Sequence, residues 1–144
     1  MQITEASVAD IAEIQRVRMS VRENILGDPS RVTPADIERM IEQGGKGWVC
    51  RADGVIRGFS FADQTNANVW ALFIEPGYDH RGMGRMLHDL AVAWLFDGGA
   101  QTIWLSTEPH SRAEKFYRIA GWQQTDVEPN GDLRLELDRK NWNQ

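Results

Sequence analysis

Apolar residues recur along this chain at two spacings, helical and alternating, and the switches between them mark out its elements. After a short strand, Gln2–Glu5, the positions Val8, Ile11, Ile14, Val17, Val21 and Ile25 fall on one helical face behind Ser7 as N-cap. Gly27-Asp28-Pro29-Ser30 breaks that helix. A second helix is predicted from Thr33, with Pro34 in the first helical position and Asp36 forming an acidic capping box. Ile37, Met40 and Ile41 make its buried stripe, and Gly44-Gly45 ends it.

The pattern then turns strand-like. Gly47–Arg51 and Val55–Ala62 are joined through Asp53-Gly54, a dipeptide suited to a type I′ turn. After the loop Gln64–Ala67, the strand Val69–Ile74 is apolar on both faces, as expected of a central strand in a covered sheet. A helix with Leu87, Leu90, Ala91, Trp94 and Leu95 inward runs to about Phe96 and stops at Gly98-Gly99. Thr102–Ser106 is another strand apolar on both faces, parallel to its predecessor because a helix crosses between them. Helix Ser111–Ile119 and strand Trp122–Val127 follow, and Asn130-Gly131 turns the chain into Leu133, Leu135 and Leu137, which alternate with Arg134 and Glu136. The order is β-α-α-β-β-β-α-β-α-β-β, without repeat, low-complexity tract or linker.

A length of 144 residues suits one domain, spanning 1–144. No apolar run is long enough for a membrane span, and the start of the chain lacks the pattern of a secretory leader, so a cytoplasmic location is expected. The single cysteine, Cys50, allows no internal disulfide and reads as an inert core thiol. A net charge of −5 argues against a general nucleic-acid binder. His80, His88 and His110 lack metal-ligand spacing, so no metal is expected. Ser106 and His110 come without a nucleophile elbow, which argues against a hydrolase. Trp48, Trp70, Trp94 and Trp104 read as mostly core, with one or two at an acceptor cleft. Arg16, Arg18 and Arg22 read as a solvated helix face.

The candidate chemistry lies where Val69–Ile74 runs through Glu75-Pro76-Gly77-Tyr78 into a basic, glycine-bearing loop and straight into a helix. The first turn of a helix has unpaired N–H groups and a partial positive charge, which suits phosphate. Gly82 and Gly84 allow close backbone approach, and Arg81 and Arg85 add charge. Such a loop is a pyrophosphate cradle. A dinucleotide-binding loop would need a third glycine or alanine, and a Walker-type loop a Gly-Lys-Ser/Thr; neither is present.

Two motifs on this element order resemble those of the GNAT N-acetyltransferase superfamily. The family's Arg/Gln-x-x-Gly-x-Gly/Ala corresponds to Asp79-His80-Arg81-Gly82-Met83-Gly84, with both glycines in place, an aspartate first and His80 where glycine is frequent. The family's Asn-x-x-Ala-x-x-Phe-Tyr-x-x-x-Gly-Phe corresponds to His110-Ser111-Arg112-Ala113-Glu114-Lys115-Phe116-Tyr117-Arg118-Ile119-Ala120-Gly121-Trp122. The resemblance implies an α/β fold with a mixed, mostly antiparallel sheet of six to seven strands. Its parallel fourth and fifth strands are splayed for acyl-CoA, and helices cover both faces.

It further implies acetyl-CoA as cosubstrate, held by Leu72, Phe73 and Ile74 of a bulged fourth strand, by Asp79, His80, Arg81, Gly82, Met83, Gly84 and Arg85, and by His110. Asp79 is expected to turn away from the phosphates and cap the helix. Tyr117 is implied as the general acid, and its ordinary pKa of about 10, just above a thiol near 8.5, fits donation to a leaving thiolate. Glu23, Asp28, Glu75 and Glu108 are the carboxylates nearest the loops, with no base singled out. The segment from Arg22 to Ser30 is assigned to the acceptor, with Glu23 and Asn24 as contacts. The implied activity is acetyl transfer to a primary amine of a small molecule or peptide; the alternative is a non-catalytic acyl-CoA-binding or sensing module. Relatives often pair through sheet edges, and the C-terminal Leu133–Leu137 hairpin is expected to offer one, implying a homodimer.

Overall fold

The computed structural model describes residues 1–21 and 32–142. Seven strands form a single sheet in the order β1-β2-β3-β4-β5-β7-β6. They are β1 (Gln2–Glu5), β2 (Gly45–Ala52), β3 (Val55–Asp63), β4 (Asn68–Ile74), β5 (Thr102–Thr107), β6 (Gln123–Val127) and β7 (Leu133–Asp138). Among the described residues four α-helices pack on it: α1 (Ile11–Ser20), α2 (Pro34–Glu42), α3 (Met83–Asp97) and α4 (Arg112–Ile119).

The local signals operate as expected. Thr33 and Asp36 form the reciprocal capping box of α2. Asp53 and Gly54 both have positive φ, 55° and 80°, as the type I′ turn between β2 and β3 requires. Ser7 begins a 3-10 turn, Val8–Asp10, rather than α1 itself, and its N–H bonds the Asp10 carboxylate at 2.9 Å. Helix α1 stops at Ser20, short of the periodic pattern, because Val21 is extended with ψ 113°. Ile25 lies outside the described residues.

Alternation along the strands divides the core between two faces. On one side Val49, Ile56, Phe59 and Phe61 pack against Ile14 and Val17 of α1 and Ile37 of α2. On the other, Trp48, Cys50, Val69, Ile103, Leu105 and Leu135 pack against Leu87, Ala91 and Leu95 of α3 and Tyr117 of α4. Cys50 is fully buried, and burial pushes its thiol pKa up, which keeps it protonated and unreactive. Strand β7 lies inside the sheet, between β5 and β6, so the edge that the C-terminal hairpin offers is its β6 arm rather than Leu133–Leu137 itself. The sheet ends at β1 on one side and at β6 on the other, and β6 is exposed along its whole length and bulged at Thr125. A bulge at an edge hinders strand addition.

Strands β4 and β5 are joined at one point. The sole register pair is Asn68 with Trp104. Trp104 N–H donates to the Ala67 carbonyl at 3.0 Å, and Asn68 Nδ2 donates to the Trp104 carbonyl at 3.0 Å. Trp104 Nε1 donates to the Asn66 carbonyl at 2.9 Å. Past this clasp the strands diverge, and Leu72, Phe73 and Ile74 are only half-buried although the sequence pattern reads as a covered strand. Strand β4 also carries a bulge: Ala71 pairs with Phe61 and Val69 with Ala62, leaving Trp70 as the extra residue. Alternate N–H groups of β4 beyond the clasp therefore face a gap instead of a neighbouring strand.

Candidate active site

The gap between β4 and β5 opens toward the turn Glu75–Tyr78 and the start of α3. Gly82 is the N-cap of α3 and has φ 82°, a left-handed conformation that no side chain adopts without strain. No side chain caps this end, and the first intrahelical bond closes with Met86 N–H to the Gly82 carbonyl at 3.1 Å. The N–H groups of Met83, Gly84 and Arg85 are thus left for a ligand. A Cβ on Gly82 would meet nothing within 4 Å, and one on Gly84 would touch Ile74 at an ordinary 3.7 Å. Protein packing therefore does not demand glycine at position 84, and open space lies before Gly82.

The other loop residues divide by role. His80 is exposed with φ 65°, so this position is left-handed, and glycine would sit there without the roughly 1 kcal/mol that a side chain costs. Met83 is 1 % exposed and belongs to the core, so only its backbone faces outward. Arg85 pairs with Asp89 one helical turn on. Asp79 does not cap α3. It pairs instead with Arg112 at the start of α4. Partial burial would raise its pKa, but backbone hydrogen bonds and Arg112 outweigh this and hold it below its ordinary value. The carboxylate is thereby neutralised and directed away from the helix end, which is how an acidic residue is accommodated beside a cationic loop.

The residues of the second motif open α4. Ser111 caps it by accepting from Glu114 N–H at 3.1 Å. His110 is left-handed at φ 64°, and its N–H donates to Glu114 at 2.7 Å. Tyr117 is 6 % exposed, packed against Phe116 and Trp122 with ring centroids 5.4 and 5.8 Å away. Burial raises its pKa above 10, so the phenol stays protonated across the neutral range. Its hydroxyl has no hydrogen-bond partner among the described residues.

His88 is the residue that sequence reasoning missed. It sits on α3 with no exposure, ringed by Phe116, Tyr117, Trp122 and Trp142. Trp122 Nε1 donates to its Nε2 at 3.0 Å, so Nδ1 carries the proton and meets Asp89 at 2.8 Å. Burial lowers its pKa below 6.5 against the opposing pull of Asp89, itself paired with Arg85. The unfolded chain then binds more protons than the folded one between that lowered value and 6.5. His88 should therefore contribute full stability above about pH 6.5 and lose it as pH falls toward the folded value. The slope approaches about 1.4 kcal/mol per pH unit at most. Urea midpoints at pH 7 and pH 5.5 measure this. His88→Gln, whose amide oxygen can still accept from Trp122, should flatten the dependence; an unchanged slope would assign it to other groups.

The remaining candidates are dispersed. Glu75 accepts from both Arg16 at 2.7 Å and Arg57 at 2.9 Å. Burial opposes ionisation, but the two guanidinium groups prevail and lower its pKa, which makes it a poor proton acceptor. Arg16 lies on the exposed face expected of it but is engaged by Glu75, whereas Arg18 is 8 % exposed and does not belong to a solvated face. Glu108 is exposed. Glu23, Asn24, Asp28 and Arg22 lie outside the described residues. Among those described, no cluster of side chains suits a metal ion. On the α1 and α2 face, a cavity of about 620 Å³ abuts Trp70 of the β4 bulge and carries Asp36, Asp63 and Arg39 in its wall. Trp48 is core, in edge contact with Trp94 at 6.1 Å, so Trp70 is the tryptophan placed at a cleft.

Residues 9–122 match the acetyltransferase (GNAT) family, a span that holds the splayed strands, the loop before α3 and all of α4. The chain belongs to that family. Solved structures of GNAT proteins share its fold. PaiA N-acetyltransferase from Thermoplasma acidophilum, in complex with coenzyme A, superposes with a TM-score of 0.82 at 17% identity, over 96% of this chain and 99% of that one. YncA from Salmonella typhimurium, a putative acetyltransferase with its cofactor acetyl-CoA, gives 0.76 at 18% identity, over 96% and 93%. Aminoglycoside 6′-acetyltransferase type Ii gives 0.75 at 17% identity, over 96% and 97%. Among curated proteins, none matches the chain.

Proposed function

We propose that the protein transfers the acetyl group of acetyl-CoA to a primary amine of a small molecule or peptide, by direct attack of the amine on the thioester. The observation that carries this reading is the gap between β4 and β5, which opens onto the uncapped N-terminus of α3. The N–H groups of Met83, Gly84 and Arg85 would hold the pyrophosphate, with Arg81 nearby and the negative Asp79 already paired with Arg112. The free N–H groups of β4 around Leu72, Phe73 and Ile74 would bind the pantetheine and the carbonyl of the acetyl group, and such a donor lowers the barrier by about 3 kcal/mol. The thioester supplies the activated acetyl group. Tyr117 would donate its proton as the bond to sulfur breaks.

The acceptor would approach from the opposite face of β4, where the cavity beside Trp70 carries the carboxylates of Asp36 and Asp63. Glu75 is held by two arginines, so the proton of the attacking amine passes to another group or to water. The test is release of free CoA thiol from acetyl-CoA across a panel of primary amines and basic peptides. Amine-dependent release is expected. Tight acetyl-CoA binding without release from any amine would favour the non-catalytic sensing module instead.

A further inference from the structure

Three arginines and one carboxylate meet where β3 and β4 run out at the mouth of the gap. Glu75 bridges Arg16 of α1 and Arg57 of β3. Arg57 lies over the ring of Tyr78, with its guanidinium carbon 4.5 Å from the centroid, and Arg81 lies over the same ring at 4.9 Å. Arg16 is also tied to the Ile56 carbonyl at 2.7 Å. Among the described residues Arg81 has no carboxylate partner, and the Nε of Arg57 is enclosed without a partner. The group therefore carries more positive than negative charge, held next to the unpaired end of α3.

We propose that Arg57 is a positioning residue of the donor phosphate site: acting through Tyr78, it holds Arg81 toward the phosphates of acyl-CoA. This rests on the acyl-CoA reading above. Arg57 is itself rigidly placed. It is the extra residue of a bulge, between Ile56 paired with Arg51 and Gly58 paired with Cys50, and its carbonyl accepts from Glu75 N–H at 2.7 Å. Its side chain is then fixed at one end by the Glu75 carboxylate and held over the ring of Tyr78. A planar guanidinium stacks on an aromatic face, whereas an ammonium offers only a point charge. Two guanidinium groups over one ring repel each other, and a polyanion at the loop relieves that repulsion. Helix α1 joins the arrangement through Arg16, so the first helix, the turn and the phosphate loop share one set of contacts.

The assignment is tested by titrating CoA calorimetrically, over a series of salt concentrations, into the wild type and the variants Arg57→Met, Arg57→Lys, Tyr78→Leu and the Arg57→Met/Tyr78→Leu double. Thermal unfolding of each unliganded protein confirms folding, which Arg57→Met should retain because Glu75 keeps Arg16. Each single variant is expected to weaken CoA by about tenfold, the effect of losing one charged contact. Arg57→Lys should fail to restore affinity, and the double should bind no worse than the weaker single, because both changes cut one chain of contacts. The slope of log Kd against log salt should fall in all of them. Undiminished CoA affinity in Arg57→Met would make Arg57 a structural strut. Full rescue by lysine would make it a bare charge, and an additive double would separate it from Tyr78; each outcome overturns the proposal. A wild type that does not bind CoA removes the donor reading, and is seen before any variant is compared.

Discussion

Replacing Tyr117 by phenylalanine is expected to lower kcat by about 100- to 1,000-fold while leaving acetyl-CoA binding unchanged. The ring contacts with Phe116, Trp122 and His88 survive in phenylalanine, and no described residue loses a hydrogen bond, so the thermal midpoint should not move. Only the proposed proton donor disappears. Burial raises the phenol further above a free thiol near 8.5 than ordinary values would place it, so full proton transfer to a free thiolate is uphill. The hydroxyl then acts best by donating while charge builds on sulfur, and a wild-type rate that does not fall through pH 8–9, where a growing share of the amine is neutral, accompanies this, because the phenol does not ionise there. Steady-state kinetics with any active amine measures both. An undiminished kcat in Tyr117→Phe would reduce the residue to packing between α3 and α4.

The parts of this site that were legible in the sequence are those set by neighbours in the chain. Gly82 and Gly84 at a helix start, the Thr33–Asp36 capping box and the Asp53-Gly54 turn all act over a few residues, so spacing reveals them. The arginine cluster was not legible, because Glu75 lies 59 residues from Arg16 and 18 from Arg57, and only the sheet brings them together. Arg16 on a helix carries the same pattern whether water or a carboxylate faces it. The Asp79–Arg112 pair spans 33 residues, and the His88–Trp122 bond 34. A polar residue at an inward helical position was the one available sign of His88, which falls one residue after Leu87. The order of the last two strands was open to reading: β7 alternates three leucines with charge, whereas β6, Gln123-Gln124-Thr125-Asp126-Val127, offers one apolar side chain and suits an edge.

Gly82→Glu should abolish the stabilisation that acetyl-CoA confers. A ligand at 100 times its Kd that binds only the folded protein adds about 2.7 kcal/mol, a thermal shift of several degrees in a domain of this size. The variant acts through two independent effects. At φ 82° any side chain is strained, which tilts the N–H groups that follow. A carboxylate in the open space before the helix would also occupy the position proposed for the phosphates and repel them. Gly84→Ala separates these effects from simple loss of a glycine. Its Cβ meets Ile74 at an unstrained distance, so the unliganded fold should hold while any loss of acetyl-CoA affinity reports close approach of the ligand to that backbone. If Gly82→Glu keeps the full shift, the phosphates do not sit at the start of α3. If it loses the shift but Gly84→Ala keeps it, the ligand contacts the end of the helix without pressing against its first turn.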